Sequence, residues 1–386
     1  MIECPPHSPL SREPHGAQAS TALGDPMSLA RGPLWSNRLA LAPLTNQQSN
    51  ADGSLHDDEL HWLTMRAAGG FGLVMTCAAH VSQAGQAFPG QLAVWDDRFL
   101  PGLTRLASAL AERGAPSAVQ LHHGGARARH ELSGLRPRAP WDDPSRGVRA
   151  LSTDEISSIV GDFASAAQRV ERAGFDGVEI HGAHGYLLCQ FLDSRHNART
   201  DGYGGTLENR SRMIFEVLDA VRAATGPSFQ VGLRLSPERY GVLLSESCHV
   251  AERAMTSGLV DYLDMSLWDV EQRPHRDSGA HPSSSDLPVG ATLLEVFASL
   301  PRGNARLGVA GKIPSGAVAQ SCLERGADFV LVGTAAILQH DFARRVLSDP
   351  SFSSIDHPVS RAHLEAQGLG RTFIDYLAND WDDFVA

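Results

Sequence analysis

The chain has 386 residues, a formal net charge of −11 and 42% hydrophobic residues, which is enough apolar material for a large core and too much for a disordered chain. The acidic balance, without any long run of lysine or arginine, argues against nucleic acid and an anionic membrane surface as main partners. Five scattered cysteines form no Cys-x-x-Cys pair, which argues against a disulfide framework, a structural zinc and an iron–sulfur cluster.

Residues 1–26 differ in composition from the rest of the chain. They are rich in Pro, Ser, Gly and His and contain no apolar stretch, so they predict a disordered leader rather than a secretory signal peptide. Residues 27–386 are expected to form one domain with a C-terminal extension. No apolar run reaches the roughly 18 residues of a membrane span, and the cysteine usage favours a reducing, cytoplasmic setting.

From Leu39 onward, short apolar runs alternate with amphipathic segments. The runs are typical of strands buried on both faces of a parallel sheet, and they are Leu39–Leu44, Phe71–Cys77, Ser117–Leu121, Phe175–Ile180, Phe229–Leu235, Tyr262–Ser266, Arg306–Ala310 and Asp328–Val332. The helix-like segments lie near 57–68, 99–113, 153–173, 206–224, 245–257, 290–299, 315–325 and 341–348. Eight such units predict the α/β class and a single (β/α)8 TIM barrel. A doubly wound open sheet is the alternative, but no Gly-x-Gly-x-x-Gly follows the first strand.

Helix caps and loop lengths support this division. Ser152 and Glu155 have the spacing of a capping box, Gly174 suits the end of that helix, and Thr206 is the predicted N-cap of the next one. The connections 122–152 and roughly 267–289 are too long for simple barrel turns. Both follow strands and so belong to the face where barrel active sites are built. We predict that the first, an extended loop after strand 3, is a lid.

Residues at the carboxyl ends of the predicted strands are the functional candidates. They are Thr45, Cys77 with Ala78, Gln120, His181 with His184, Arg234, the stretch 266–268, Gly311 with Lys312, and Gly333 with Thr334. The glycine turns after the last two strands suit a phosphate site, although tight turns alone explain them equally well. Arg234 requires an anionic partner, either a ligand or a structural carboxylate. Gln120 suits the edge of an amide-like heterocycle, and a satisfied core glutamine is the alternative.

His181 and His184 open two hypotheses. Two histidines three residues apart can bind a metal, as in a metal-dependent barrel hydrolase, or donate two hydrogen bonds to one substrate oxygen. The metal hypothesis needs further ligands, for which Asp269, His122 and His123 are available.

A run of about thirty residues around the fourth strand closely resembles the old yellow enzyme family, which are FMN-dependent NAD(P)H oxidoreductases and ene-reductases on a (β/α)8 barrel. The run reads Glu179-Ile180-His181-Gly182-Ala183-His184-Gly185-Tyr186-Leu187-Leu188, continuing through Gln190-Phe191-Leu192, Asn197, Arg199-Thr200-Asp201 and Tyr203-Gly204-Gly205 to Glu208-Asn209-Arg210. Weaker matches at Ala42-Pro43-Leu44-Thr45, Ala118-Val119-Gln120-Leu121, Arg234, Gly311 and Gly333 extend the resemblance over roughly residues 34 to 350.

The resemblance implies FMN as cofactor and NADPH or NADH as reductant. By position, it assigns the flavin to Ala42, Pro43, Leu44, Thr45, Ala78, Gln120, Arg234, Gly311, Lys312, Gly333 and Thr334. Within that set, Arg234 faces the flavin edge where negative charge develops on reduction. His181 and His184 are assigned the substrate carbonyl oxygen, and Tyr186 the proton donor to the α-carbon.

The resemblance further implies a ping-pong cycle in which a small electron-poor alkene replaces the spent nicotinamide over the flavin. Members that couple the barrel to an iron–sulfur cluster and a further flavin domain are excluded by the missing cysteines and by length. A homo-oligomer is a possible assembly.

Three departures from the family pattern bear on this assignment. Thr334 stands where the family has an arginine for the flavin phosphate, and Lys312 is the available replacement charge. The familiar His-x-Gly-Arg becomes His123-Gly124-Gly125-Ala126, which predicts a looser start to the lid, and Asn46 stands where arginine is common. The first departure supports a further alternative, a non-catalytic flavin-binding or accessory barrel.

The C-terminal segment Phe373–Phe384 includes Tyr376 and Trp381. We expect this segment to cap the barrel or to reach a neighbouring subunit. Its aromatic side chains are interpreted as packing rather than active-site groups.

Overall fold

The computed structural model describes residues 22–275 and 290–386. Eight parallel strands form its central sheet, and we number them β1 Leu39–Leu41, β2 Val74–His80, β3 Ser117–His122, β4 Gly177–Gly182, β5 Gln230–Leu235, β6 Tyr262–Ser266, β7 Arg306–Ala310 and β8 Phe329–Val332. Their hydrogen-bonded order is β1-β8-β7-β6-β5-β4-β3-β2. A parallel bridge from Ala40 to Leu73 joins the two ends of the sheet. The predicted (β/α)8 barrel is therefore confirmed.

One barrel helix follows each strand. The eight are α1 Asp57–Ala68, α2 Leu100–Ala111, α3 Thr153–Ala173, α4 Leu207–Ala224, α5 Leu244–Thr256, α6 Leu293–Ala298, α7 Gly316–Glu324 and α8 Phe342–Ser348. Further α-helices are His130–Ser133, Leu187–Leu192, Thr334–Leu338, Arg361–Ala366 and Arg371–Asp380, and short 3-10 turns are Gln83–Gly85, Asp97–Phe99, Gly125–Arg127 and Pro144–Arg146. The predicted capping box at Ser152 and Glu155 and the N-cap at Thr206 are both present.

The first two strands differ most from their predicted bounds, and the other differences are of one or two residues. The first strand ends at Leu41, because Pro43 has no backbone N–H to continue a ladder, and residues 42–45 leave the sheet. The second strand begins at Val74 instead of Phe71 and continues to His80. Both shifts bring polar or small residues to the carboxyl-terminal end of the barrel.

The amino-terminal end of the barrel is closed by aromatic packing. The Trp35 ring meets Tyr262 and Phe329 edge-on, at centroid distances of 5.6 and 5.0 Å. Glycines make room for these rings, since a Cβ at Gly232 would lie 2.1 Å from Tyr262 Cζ. The barrel interior is consequently filled with side chains at its amino-terminal end.

The segment before β1 contacts the barrel at two buried positions. Leu23 is buried at 6% exposure, its carbonyl accepts from the Arg38 backbone, and Met27 is 1% exposed. The boundary between a leader and the domain at residue 26 stays a prediction. The remainder of the predicted leader, residues 1–21, lies outside the described residues.

The extended loop after β3 is present and has structure of its own. It contains a two-stranded parallel ladder between Arg138–Ala139 and Arg149–Ala150, with a small apolar cluster around Val148. Its start is firmly held, which contradicts the predicted loosening. The Gln190 side chain accepts from Ala126 N at 2.9 Å, and the Leu187 backbone donates to His123 O at 3.0 Å.

A buried arginine joins the C-terminal extension to the barrel. Arg66 donates through Nη1 to Gln367 O at 2.7 Å and through Nη2 to Ala336 O at 3.0 Å. Its guanidinium lies 3.2 Å from the Trp62 ring centroid, and Trp62 in turn meets Phe373 edge-on. This anchor holds helix Arg371–Asp380 against the mouth of the barrel.

Candidate active site

A cavity of about 510 Å³ lies at the carboxyl ends of the strands, and every one of the eight strand ends contributes to its wall. All residues that the sequence predicts for cofactor, substrate or catalysis line it, namely Ala42, Pro43, Leu44, Thr45, Ala78, Gln120, His181, His184, Tyr186, Arg234, Gly311, Lys312, Gly333 and Thr334. Its volume falls in the range of small-molecule and cofactor sites. The sequence therefore predicted a set of residues that the fold brings into one chamber.

Other residues in the wall were missed or were interpreted differently. These are Phe88, Arg127, Tyr240, Ile313, Leu331, Tyr376 and Trp381. Tyr376 and Trp381 belong to the C-terminal extension, which was expected to cap the barrel and does so, but their side chains also face the cavity. The signal for Arg127 was present in the sequence, since it stands one position after the arginine of the family pattern.

The two histidines form a hydrogen-bonded pair whose tautomers follow from their partners. His181 Nδ1 accepts from the Ala183 backbone at 3.2 Å, so the ring proton resides on Nε2. That N–H points to His184 Nδ1 at 3.3 Å, and His184 Nε2 then donates to Ser266 Oγ at 2.8 Å. Both rings line the cavity and carry their proton on Nε2, where it is donated to a neighbouring side chain.

Burial keeps the pair uncharged. It lowers the pKa of His181 well below its usual value, with His184, His122 and the nearby arginines acting in the same direction. Burial, then Arg234 and Arg127, lowers the pKa of His184 to about 3. Neutral imidazoles donate hydrogen bonds to a carbonyl oxygen without bringing a competing acid to the site.

The backbone at His184 is strained and firmly held. Its φ of +61° is rare for a residue with a side chain. The His184 backbone N donates to Ser236 Oγ at 3.0 Å, and its carbonyl accepts from Arg127 Nη1 at 2.7 Å. These bonds fix the direction in which the imidazole enters the cavity, a pattern typical of functional sites.

Tyr186 lies beside the histidine pair. Its ring centroid is 5.2 Å from that of His181 and 4.3 Å from that of His122, both in edge-to-face contact. Burial raises the pKa of the phenol, while Arg127 opposes that shift. The phenol consequently remains protonated at neutral pH and is able to act as an acid.

Arg234 lies across the cavity and has a buried carboxylate behind it. Its Nε is 2.9 Å from Asp264 Oδ2, and its Nη2 is 3.5 Å from Ser266 Oγ. Nη1 has no hydrogen-bond partner within residues 22–275 and 290–386 and is available to a ligand in the cavity. The sequence left open whether the anionic partner of Arg234 is a ligand or a structural carboxylate. In the structure, Nε is paired with the carboxylate of Asp264, and Nη1 is left for a ligand.

The residues present fit FMN. Gln120 offers an amide, Thr45 a hydroxyl and Arg234 a guanidinium, which match the donors and acceptors of an isoalloxazine edge. The part of the wall between these three residues has only small side chains or none, since it is built from Ala42, Ala78, Ala310, Gly311 and Gly333. A Cβ at Gly311 would lie 2.6 Å from backbone of Trp268, so this close turn requires glycine.

Two turns, Gly311-Lys312 and Gly333-Thr334, are expected to bind the flavin phosphate. Neither of them contains the arginine of the family pattern. Lys312 lines the cavity with its side chain 76% exposed, and its Nζ lies 3.3 Å from Asp269 Oδ2. Thr334 begins a short helix at the same rim. Lys312 is thus placed where a phosphate charge is expected, but it is held by a surface carboxylate rather than by the fold.

The metal hypothesis has no ligand set in the described part of the chain. Nowhere in residues 22–275 and 290–386 do three or more His, Cys, Asp or Glu side chains come together in a metal-binding group. The neighbours of His181 and His184 are Ser266, Tyr186 and His122. Over the same ranges, no helix combines the length and hydropathy of a membrane span.

Comparisons with known proteins agree with this site. A family model described as the NADH:flavin oxidoreductase / NADH oxidase family matches residues 23–352. The chain is 35% identical to the probable NADH-dependent flavin oxidoreductase YqiG of Bacillus subtilis, covering 86% of each chain. It is 34% identical to an NADPH dehydrogenase of Bacillus licheniformis, covering 84% of this chain and 91% of that one. A solved old yellow enzyme homologue from Zymomonas mobilis superposes with a TM-score of 0.75 at 25% identity, over 92% of this chain and 99% of the other.

The fold and the site together define an FMN-dependent oxidoreductase that takes its electrons from a nicotinamide. More particularly, the chain belongs to the NADH:flavin oxidoreductase family, the family of the old yellow enzymes.

Proposed function

We propose that the enzyme reduces the C=C bond of α,β-unsaturated carbonyl compounds. The observation that carries this proposal is the pairing of two neutral histidines, 3.3 Å apart, with a protonated tyrosine beside them. The chemistry that bound FMN would supply is hydride transfer from NAD(P)H to the β-carbon of the alkene. The remaining chemistry falls to residues of this chain.

His181 and His184 hold the substrate oxygen. A carbonyl oxygen that enters takes the N–H of His181 Nε2 from His184 and the N–H of His184 Nε2 from Ser266. Two such bonds withdraw electrons from the conjugated double bond and stabilise the enolate-like charge that develops as hydride arrives. Because both rings are neutral, neither transfers its own proton to that oxygen.

Tyr186 delivers the proton to the α-carbon. Its phenol is kept protonated by burial and lies 5.2 Å, centroid to centroid, from His181. A positioned acid of this kind typically contributes about 10²- to 10⁴-fold to the rate. The Arg127 guanidinium, whose Cζ lies 4.6 Å from the Tyr186 ring centroid, favours the phenolate that remains.

Gln120, Arg234, Thr45 and the strand-end residues 42–44 are the proposed flavin contacts, with Ala78, Gly311, Lys312, Gly333 and Thr334. Arg234 stabilises negative charge on the reduced ring, since a guanidinium keeps its own charge at every relevant pH. The homologous enzymes favour this activity over a non-catalytic accessory barrel. A homo-oligomer stays a prediction.

The visible absorbance spectrum of the purified protein tests the proposal directly. Anaerobic NADH or NADPH is expected to bleach a bound flavin, and cyclohexenone or a maleimide is expected to restore its colour without oxygen. A protein that holds no flavin and takes up none from excess FMN would refute the oxidoreductase assignment. A flavin that bleaches but recovers only with oxygen would refute the enone substrate.

A further inference from the structure

Arg127 lines the cavity but belongs to no ion pair with any residue in the described ranges 22–275 and 290–386. Its Nη1 donates to His184 O at 2.7 Å, and its guanidinium lies over the Tyr186 ring. Its other N–H groups have no protein acceptor within those ranges. An arginine in this condition offers a planar set of donors to an anion from outside the chain.

The charges of the cavity wall are unbalanced around this residue. Among the lining residues that belong to the described ranges 22–275 and 290–386, none is Asp or Glu. The other two cations each have a carboxylate behind them, Asp264 for Arg234 and Asp269 for Lys312. Arg127 is therefore the cation of the wall whose charge no described side chain compensates, and it lies at the histidine and tyrosine end.

The position of Arg127 is determined by the scaffold. It ends the turn Gly125–Arg127, whose φ of +61° at Gly125 brings the backbone close to Gln190. A Cβ at Gly125 would lie 2.2 Å from Gln190 Oε1, so no larger residue fits this approach. Gln190 also donates to Gly185 O at 2.8 Å, which connects the turn to the segment that carries His184 and Tyr186. Gln190 thus holds the turn that carries Arg127 against the segment that carries the proposed proton donor.

We propose that Arg127 binds a carboxylate on the substrate, so that the preferred substrates are electron-poor alkenes carrying a carboxylate beside the activating carbonyl. The inference rests on the proposed function and specifies its substrate class. A carboxylate accepts two N–H bonds from a guanidinium in a fixed geometry, which orients the alkene as well as holding it. The Arg127 side chain is exposed when no substrate is bound, so we expect an effect of about tenfold rather than that of a fully buried pair.

The test uses a matched pair of maleimides, 3-maleimidopropionate and its methyl ester, with the holoenzyme. The two share the alkene and the imide carbonyls and differ only at the carboxyl group, which is an anion in the acid and a neutral methyl ester in the other compound. The wild type is expected to show a kcat/KM about tenfold higher for the acid than for the ester. Arg127→Gln is expected to lower both values, because the Tyr186 phenolate loses its guanidinium, and to bring the ratio of acid to ester to about one, while Arg127→Lys keeps part of that ratio.

Arg129→Gln is the control for general surface charge. Arg129 belongs to the same loop, is exposed and pairs with Glu131, but it does not line the cavity. This variant is expected to keep the wild-type ratio. An acid-to-ester ratio near one in the wild type, or an unchanged ratio in Arg127→Gln, would overturn the proposal.

A binding measurement separates this inference from the proposed reaction. The saturated analogues, 3-succinimidopropionate and its methyl ester, have no alkene, and calorimetry measures their affinity without turnover. Tighter binding of the acid that is lost in Arg127→Gln supports the anion site even if neither maleimide is reduced. Equal affinities for acid and ester count against the site even if both maleimides are reduced.

Discussion

Gln120 Nε2 donates to Glu179 Oε1 at 2.8 Å, and this bond joins the floor of the cavity to the barrel interior. Glu179 is fully buried, and the charge of the Asp264 carboxylate acts on its carboxyl group. Burial raises the pKa of Glu179 to about 8, and the neighbouring Asp264 adds to that shift. Glu179 is thus protonated at neutral pH, while Asp264 is paired with Arg234.

The first prediction concerns stability as a function of pH. The folded pKa of Glu179 lies above its usual value of 4.5, so its contribution to stability is complete below about 4.5 and disappears as pH rises towards about 8. Each pKa unit corresponds to about 1.4 kcal/mol. Glu179→Gln mimics the protonated acid, so the wild type should lose stability relative to this variant across that window. Urea unfolding of the apoprotein at several pH values measures the difference.

Glu112→Gln serves as the matched control for that series. Glu112 lies exposed at the end of α2, so this variant removes one carboxylate without changing the barrel interior. A Glu179→Gln difference that changes with pH no more than that of Glu112→Gln would contradict the raised pKa of Glu179.

The second prediction concerns Tyr186→Phe. The ring and its contacts with His122 remain, but the proton donor is removed. We expect reoxidation by cyclohexenone to slow by about 10²-fold or more, whereas flavin reduction by NAD(P)H stays within about twofold. Stopped-flow measurement of the two half-reactions distinguishes them. Tyr203→Phe, whose hydroxyl bonds Glu216 away from the cavity, should change neither, and a slow reductive half-reaction in Tyr186→Phe would argue for misplacement instead.

The third prediction concerns the phosphate end of the cavity. Lys312 is the cation at that rim, so Lys312→Ala should weaken FMN binding about tenfold, and Thr334→Arg should strengthen it. Riboflavin has no phosphate and is the control ligand. Fluorescence titration of the apoprotein with both flavins measures the effect. Equal weakening of FMN and riboflavin by Lys312→Ala would place the lysine elsewhere in the site.

The fourth prediction concerns the pH profile of enone reduction. Burial lowers the pKa of His184 to about 3 and holds that of His181 well below its usual value of 6.5, so both are expected to stay neutral between pH 5 and 8. The rate of flavin reoxidation should accordingly show no histidine ionisation in this range. A fall should appear only on the alkaline side, above the usual value of 10 for a phenol, as Tyr186 loses its proton. A midpoint near 6.5 that disappears in His184→Asn would contradict the neutral pair.

The strand-end residues of the site were predictable because parallel strands deliver their carboxyl ends to one face. The apolar runs located all eight strands, and the segment from Glu179 to Tyr186 brought the family pattern with it. The sequence alone could have identified Arg127 as a site residue. Because it stands one position after the arginine of the family pattern, we interpreted the change as a loosened loop. The contacts with Gln190 and Leu187 in the structure show that the turn is firmly held.

Backbone conformation was the part that sequence could not supply. Of the seven described non-glycine residues with positive φ, four line the cavity, namely His184, Tyr240, Trp268 and Lys312. Local propensity disfavours this conformation, so tertiary contacts must impose it. The position of Tyr376 and Trp381 likewise depends on long-range contacts that no local pattern encodes.

The last prediction concerns those contacts. Arg66 is fully buried and bonds the carbonyls of Ala336, Trp62 and Gln367, so Arg66→Ala leaves several carbonyls without a donor. We expect a loss of about 3 kcal/mol of unfolding free energy. Helix Arg371–Asp380 should open first, because Gln367 lies just before it and the Trp62 ring that packs on Phe373 loses its guanidinium cover.

Hydrogen exchange at the backbone amides of Phe373 and Ile374 measures that opening, and KM for the enone reports the loss of Tyr376 and Trp381 from the cavity wall. Arg345→Ala is the control, since its ion pair with Asp341 is about half exposed and should contribute less than about 1 kcal/mol. If Arg66→Ala lowered global stability with uniform exchange throughout the chain, the C-terminal extension would be an integral part of the barrel core. Faster exchange confined to the extension, with a raised KM, identifies it as a separately stabilised wall of the active site.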